Sequence, residues 1–311
     1  MIGAVAIQAL QMALVLLAAP GLVGLVRAVK ARLQRRQGPP IIQPYRTLAR
    51  LLGKEVVLAD NASWLFRAAP YLILALTWAA ASVVPTFSNN LAFAPLGDLI
   101  VITALLGAAR FLLALAGLDI GTSFGGIGAS REVMFASLAE PAMLMIVVTL
   151  AILAGSTELS SIAAFMLSPA LGLRFSLALA LVAFVIVALA ENARIPVDNP
   201  ATHLELTMVH EAMVLEYSAR HLAMIELAAA LKLLLMISII ACIFFPFGLG
   251  SSNLLFGLAA WLAKLAAAGT LLGVFELSIA KMRVFRVPEL LGAALMLGLL
   301  GTLLLYVSRG L

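Results

Sequence analysis

Long apolar stretches separated by short polar connections follow one another along the whole chain. An apolar stretch of about 18 residues or more is long enough to cross the hydrocarbon core of a bilayer as a helix. The pattern therefore predicts about eight transmembrane helices, with boundaries placed to within a few residues. The predicted spans cover residues 2–26, 69–87, 98–117, 135–155, 174–190, 222–247, 254–275 and 289–308.

Composition favours an all-α membrane protein formed by one integral domain, residues 1–311. Apolar residues make up 64% of the chain and charged residues 11%, whereas a soluble domain carries roughly a quarter charged residues. No polar linker interrupts the succession of spans. The single cysteine, Cys242, lies inside an apolar run, so neither a disulfide framework nor a metal site is predicted on this chain.

Basic residues are distributed unevenly between the two sets of connections. Fifteen Lys and Arg residues lie in the connections after the first, third, fifth and seventh spans, against two, Arg174 and Arg309, on the other side. Because basic connections remain in the cytoplasm, we expect cytoplasmic loops at 27–68 and 191–221 and both termini outside. The expected location is a bacterial inner membrane, crossed many times.

The cytoplasmic loop 27–68 contains a basic stripe of helical spacing. Arg46, Arg50 and Lys54 recur every fourth residue, with leucines on the other faces. One interpretation is an amphipathic helix lying at the lipid headgroups. The other is a docking surface for a soluble partner, and both could hold. The candidate docking residues are Arg35, Arg36, Arg46, Arg50 and Lys54.

Seven ionisable residues fall within the predicted spans or at their ends, where a charge is costly. They are Asp98, Arg110, Glu140, Glu226, Lys232, Lys264 and Glu276. Asp98 and Glu276 lie near span ends, so their side chains can extend to the membrane interface and keep their charges hydrated. This is sufficient to explain both residues. Glu140 and Glu226 lie deeper and need a partner, a proton or water. Structural pairing with a neighbouring cation and service in a proton relay both remain open, since a desolvated carboxyl group binds a proton more readily.

A cluster of acidic residues follows the fifth span. Five of the fifteen acids of the chain fall within one short stretch: Glu191, Asp198, Glu205, Glu211 and Glu216. Two prolines interrupt its start, and a short helix is predicted from Thr202 to Leu215, capped by Asn199 or Thr202. The stretch is either a solvated loop with weak surface ion pairs or a half-buried cluster that stores protons. Apolar residues between the acids favour packing against a neighbour.

Three segments of the chain resemble one known family. They are residues 31–55 (ARLQRRQGPPIIQPYRTLARLLGKE), 117–141 (GLDIGTSFGGIGASREVMFASLAEP) and 191–220 (ENARIPVDNPATHLELTMVHEAMVLEYSAR). In their order, their spacing and the number of spans, the chain resembles the hydrogenase-4 component C and formate hydrogenlyase subunit 4 family. That family is the counterpart of complex I subunit 1. Residues 38–43 (GPPIIQ) are similar to the hydrogenase branch, and Pro196-Val197-Asp198 stands where the family has Pro-Phe-Asp.

The resemblance implies a complex I subunit 1-like fold and a non-catalytic subunit of a redox-driven, ion-translocating complex. Such a complex is of the membrane-bound nickel–iron hydrogenase or formate hydrogenlyase type. No redox centre is expected on this chain, and the nickel–iron centre and iron–sulfur clusters would lie on partners. The implied partners are hydrogenase-like large and small subunits, an iron–sulfur subunit and antiporter-like membrane subunits, within the lipid bilayer and without nucleic acid.

The resemblance indicates a set of proton-path residues in and beside the fifth-to-sixth connection. Glu226 joins this set because it is an acid within the sixth span. The proton-path candidates are Glu140, Glu191, Asp198, Glu205, Glu211, Glu216 and Glu226, and the candidate charge partners are Arg131, Arg194 and Lys232.

Two other functions stay open at this point. The same fold could form the quinone site of a complex I-like NADH- or ferredoxin:quinone oxidoreductase, in which case quinone would bind here. Alternatively, the chain could be an independent secondary transporter with carboxylates as its coupling site. The sequence contains no obvious internal repeat, which argues against the transporter. It does not distinguish H⁺ from Na⁺ as the coupling ion.

Overall fold

The structure, a computed structural model, describes residues 2–89, 91–168, 175–198, 208–249 and 253–310. Over these ranges the regular elements are helices. The α-helices are α1 (Ile2–Leu33), α2 (Gln43–Leu52), α3 (Trp64–Val83), α4 (Leu99–Asp119), α5 (Ser123–Ala154), α6 (Leu159–Met166), α7 (Phe175–Glu191), α8 (His210–Val214), α9 (Ala219–Phe244), α10 (Leu254–Ser278) and α11 (Val287–Gly310).

Seven helices in the described ranges are long and apolar enough to cross a membrane: α1, α3, α4, α5, α9, α10 and α11. Helix α7 is shorter, with 17 residues, and at 1.5 Å per residue it spans about 26 Å. These helices correspond one for one to the eight predicted spans. The predicted all-α membrane fold is therefore confirmed, while the side on which the termini lie stays a prediction.

Contacts between helix ends establish which connections share a side of the bundle. The backbone N–H of Ser63, just before α3, donates to the Asp119 carboxylate at the end of α4 over 2.9 Å. Met282, between α10 and α11, donates its N–H to the Pro196 carbonyl after α7 over 2.9 Å. The Ser218 hydroxyl before α9 donates to the Val57 carbonyl before α3 over 2.8 Å and so joins these two pairs of connections. The four connections predicted to be cytoplasmic thus meet at one end, as the distribution of basic residues requires.

Helix α9 is the central element of the bundle. It packs against α1, α2, α3, α7 and α10, and its side chains Leu231, Ile239 and Ile243 are fully buried. Fully buried alanines such as Ala80 and Ala180 also line helix contacts. Small residues let membrane helices approach closely, and this matters because lipid tails are as apolar as the helices themselves.

The fourth membrane helix begins twelve residues earlier than predicted. The prediction placed its start at residue 135 and treated the glycine-rich segment before it as a connection, whereas α5 begins at Ser123 with Thr122 as its N-cap. The glycines serve close packing: a Cβ at Gly125 would lie 2.1 Å from the carbonyl oxygen of Gly117 on α4. A Cβ at Gly128 would lie 2.9 Å from the carbonyl oxygen of Val209.

This packing gives a prediction about Gly125. Replacing it with alanine forces α5 away from α4 and is expected to lower the free energy of unfolding by about 1–3 kcal/mol, the usual cost of overpacking. Gly126→Ala is the matched control, because a Cβ at Gly126 meets nothing within 4 Å. Thermal unfolding of the purified full chain in detergent measures both. Equal melting temperatures for the two variants would contradict the close approach.

The basic stripe of the first long connection forms a helix, as predicted. Arg46 and Arg50 are exposed on α2, while Pro44 is buried against the bundle. Helix α2 ends before Gly53, so Lys54 follows the helix instead of extending the stripe. Helix α2 packs on α1 and α9, which fits an amphipathic helix lying at the membrane surface.

Much of the acidic stretch is packed in the part that the structure describes. The predicted helix 202–215 appears in the described residues as the short α8, His210–Val214, and residues 199–207 lie outside the description. Met208, Val209 and Met213 are almost completely buried, and α8 packs against α4 and α5. A freely solvated loop does not bury such residues, so these contacts favour the half-buried interpretation.

Candidate functional site

Arg110 on α4 holds three carboxylates from two other helices. Its Nη2 pairs closely with Oε1 of Glu191 at the end of α7. Its Nε lies 3.2 Å from Oε1 of Glu132 on α5, and its Nη1 lies 3.9 Å from Oε1 of Glu140 on the same helix. The Arg110 side chain is 5% exposed and that of Glu191 8%. One buried cation therefore compensates as many as three anions.

A small cavity of about 260 Å³ opens beside this Arg110 cluster, between α4 and α5. Glu140 lines it and keeps 45% of its side chain exposed. Gly107 on α4 makes room, because a Cβ there would lie 3.4 Å from Glu140 Oε1. Glu140 is consequently the most exposed carboxylate of the cluster.

A second buried cluster forms around Glu276, near the end of α10. Its Oε2 lies 2.7 Å from Lys30 Nζ on α1, and its Oε1 lies 3.3 Å from Arg194 Nη1 after α7. The Glu276 side chain is 1% exposed. Burial lowers the pKa of Arg194, and the Glu276 carboxylate acts in the opposite direction to keep the guanidinium charged. This cluster fastens the start of the acidic stretch to α1 and α10.

A third group surrounds Asp198, which is 2% exposed. Its Oδ1 lies 2.6 Å from Lys281 Nζ. Its Oδ2 accepts the backbone N–H groups of Val209, over 3.2 Å, and of His210, over 3.3 Å. Burial lowers the pKa of His210, and the positive charge of Lys232 lowers it further. Asp198 thus joins the two described parts of the acidic stretch to the connection before α11.

A larger cavity of about 540 Å³ lies between α1, α2, α9 and the acidic stretch. Its charged lining consists of Arg27, Lys30, Arg194, Glu211, Glu226 and Lys232. Lys232 also interacts electrostatically with Arg110 and Glu132. Lys232 therefore lines the larger cavity within electrostatic range of the Arg110 cluster.

The structure places the predicted proton-path residues in different surroundings. Glu140 and Glu191 belong to the Arg110 cluster, Asp198 forms its own group, and Glu211 and Glu226 line the larger cavity. Glu216 is exposed at the surface. Glu205 lies outside the described residues. The acids that the structure describes thus fall into several groups.

The described residues show contacts for each of the predicted charge partners. Arg194 pairs with Glu276, Arg131 donates to the Met208 carbonyl over 2.8 Å, and Lys232 lines the larger cavity. The candidate docking residues Arg35, Arg36, Arg46, Arg50 and Lys54 are all exposed.

Sequence reasoning missed several members of the site. The expectation that Glu276 reaches to the membrane interface is wrong, because Glu276 is buried between two cations. Glu132 was overlooked because its segment was interpreted as a connection. Its distance of eight residues from Glu140, two turns along one helix, is the signal that could have found it. Lys281 contributes to the prediction only as a basic residue of a cytoplasmic connection, and the sequence does not indicate its ion pair with Asp198.

The described ranges contain no group of three or more His, Cys, Asp or Glu side chains that could hold a metal ion. The charged side chains of the described site are carboxylates and cations held together in ion pairs, and carboxyl groups in such surroundings are able to take up and release protons.

Comparisons with known proteins agree on one family. A family model described as NADH dehydrogenase matches residues 5–307. Formate hydrogenlyase subunit 4 of Escherichia coli (strain K12) is 34% identical over 283 residues, which cover 89% of this chain and 91% of that protein. Hydrogenase-4 component C of the same organism is 33% identical over 279 residues, covering 88% and 87%.

The fold is also similar to a solved structure. A chain in the structure of the membrane-bound sulfane sulfur reductase, an archaeal respiratory membrane complex, superposes with a TM-score of 0.84. The two chains are 21% identical, and the match covers 96% of this chain and 98% of the other. Their overall architecture is therefore the same.

Proposed function

This chain belongs to the NADH dehydrogenase family, and members of the family that its segments resemble, formate hydrogenlyase subunit 4 and hydrogenase-4 component C, are its relatives; we propose that it is the proton-path and coupling subunit of a redox-driven membrane complex. The complex is of the membrane-bound hydrogenase or formate hydrogenlyase type and translocates ions. This chain anchors it in the membrane, with the redox centres on other subunits. Its expected partners are hydrogenase-like large and small subunits, an iron–sulfur subunit and antiporter-like membrane subunits, in a bacterial inner membrane.

The observation that carries this proposal is the Arg110 cluster. Ionisable residues inside a membrane domain are expensive to keep unless they serve a function. Here three carboxylates share one buried guanidinium. Lys232, which lines the larger cavity at the charged end of the bundle, lies within electrostatic range of this cluster. A change of charge at that end alters the energy of each proton in the cluster. Such coupling lets a redox event in a docked partner drive proton movement without any redox centre here.

Two substitutions test the proton path. Glu140→Gln and Asp198→Asn keep the shape of each side chain while removing the carboxylate. Each is expected to lower redox-coupled proton translocation about a hundredfold, the lower end of what a proton-transferring group contributes. Translocation and redox turnover are measured together in membrane vesicles that contain the intact complex. Glu289→Gln, an exposed carboxylate on α11, is the control and should translocate protons normally.

Two results would overturn the proposal. If both variants translocate protons at the wild-type rate, the proton path is wrongly assigned. If the chain purifies from its native membrane without a partner that carries nickel or iron–sulfur clusters, the hydrogenase-type complex itself is excluded.

A second candidate function is supplying a quinone site. The larger cavity favours it, because about 540 Å³ falls within the range of small-molecule sites and part of the wall is apolar. Binding of a short-chain ubiquinone to the purified complex, and competition by a quinone-site inhibitor, would distinguish this function from the first.

A further inference from the structure

The larger cavity has two opposite charges that remain exposed. Arg27 on α1 and Glu226 on α9 both line it, and both are exposed. Their charges interact, yet within the described part of the chain no ion pair joins them. Of the other basic lining residues, Lys30 and Arg194 are held by Glu276, and Lys232 is less exposed than Arg27 and interacts with Glu132. Arg27 and Glu226 thus offer a cation and an anion, side by side, to a ligand.

The walls behind this pair are apolar. Pro20 and Val23 of α1 face the cavity, as do Ile225 and Ala229 of α9. Helix α2, which carries exposed arginines along its outer side, closes another side through Pro44 and Leu48. A ligand that fits must combine a charged head with an apolar body. It must also reach the cavity at the level of the membrane surface, where an amphipathic helix lies.

From this juxtaposition we propose that the larger cavity binds a zwitterionic aminophospholipid, with its phosphate on Arg27, its ammonium group on Glu226 and its acyl chains along α1 and α9. Guanidinium groups bind phosphate through charge-assisted hydrogen bonds, and carboxylates bind ammonium groups in the same way. An anionic phospholipid uses Arg27 but is repelled by Glu226. An uncharged quinone leaves both charges without a counter-charge. The aminophospholipid satisfies both groups at once, whichever redox partner the chain serves.

A lipid-binding experiment on the full chain tests this proposal. The chain is purified with whatever subunits accompany it, stripped of lipid and offered equal amounts of phosphatidylethanolamine, phosphatidylglycerol and a short-chain ubiquinone. Native mass spectrometry then counts the molecules bound per chain. The wild type is expected to retain one phosphatidylethanolamine, and Arg27→Gln and Glu226→Gln to weaken its binding about tenfold, a typical loss for one charge-assisted hydrogen bond.

A third variant and two controls make the test specific. Glu226→Lys replaces the anion by a second cation and is expected to change the preferred lipid to phosphatidylglycerol. Arg286→Gln and Glu289→Gln remove exposed charges outside the cavity and should bind like the wild type. Equal binding of both phospholipids to the wild type, unchanged binding in Arg27→Gln and Glu226→Gln, or ubiquinone bound in preference to phospholipid would each overturn the proposal.

Discussion

Replacing Arg110 with glutamine is expected to lower the free energy of unfolding by about 3–5 kcal/mol, the cost of leaving a buried charge without its partner. The reason lies in the geometry of the cluster. Glu191 is 8% exposed and pairs closely with Arg110, and Glu132 lies 3.2 Å from it. Without the guanidinium, both carboxylates remain in a nearly dry site and repel each other.

A double variant separates charge compensation from a loss of shape. Arg110→Gln combined with Glu191→Gln removes both members of the closest pair, so much of the lost stability should return. Thermal unfolding of the purified full chain, with Arg286→Gln as an exposed control, measures this recovery. Proton translocation by the double variant should stay at least about tenfold below the wild type, because the relay still lacks its central cation. A stable single variant, or a double variant that pumps normally, would show that Arg110 does not organise the cluster.

The sequence predicted the membrane helices well because their signal is local. An apolar run of sufficient length is visible without knowing any tertiary contact, and all eight spans have a corresponding helix. The error at the start of α5 has a physical cause. Glycines at 125 and 128 indicate a turn when they are considered alone, but here they let α5 approach α4 and the residues around Val209.

The candidate site was only partly predictable because its pairings join distant parts of the chain. Glu140 and Glu191 stood out as acids in or beside a membrane span, yet nothing in the sequence says that both contact Arg110 on α4. Similarly, Glu276 near a span end gives the same pattern whether it reaches to solvent or is buried between Lys30 and Arg194. Burial, and not position along the chain, distinguishes these two cases.

Glu276→Gln is the second substitution with a large expected effect. It keeps the size of the side chain but removes the negative charge that pairs with two cations. In the wild type, Lys30 Nζ lies 2.7 Å from Glu276 Oε2, and Arg194 Nη1 lies 3.3 Å from Glu276 Oε1. Because Glu276 is 1% exposed, water cannot replace it, and we expect the free energy of unfolding to fall by about 3–5 kcal/mol. Lys30→Met should cost less, about 1–2 kcal/mol. Lys30 is 25% exposed, and Glu276 then still has Arg194.

The relative stabilities of these variants test the role of Glu276. Thermal unfolding of the two variants and of Glu289→Gln, an exposed acid on α11, should rank Glu276→Gln lowest and Glu289→Gln level with the wild type. Arg194, once released, no longer fastens the start of the acidic stretch to α10, so the larger cavity should also lose its shape. Lipid or quinone binding to that cavity should therefore weaken in Glu276→Gln although Glu276 does not line it. If Glu276→Gln melts with the wild type, the buried cluster does not hold these elements together.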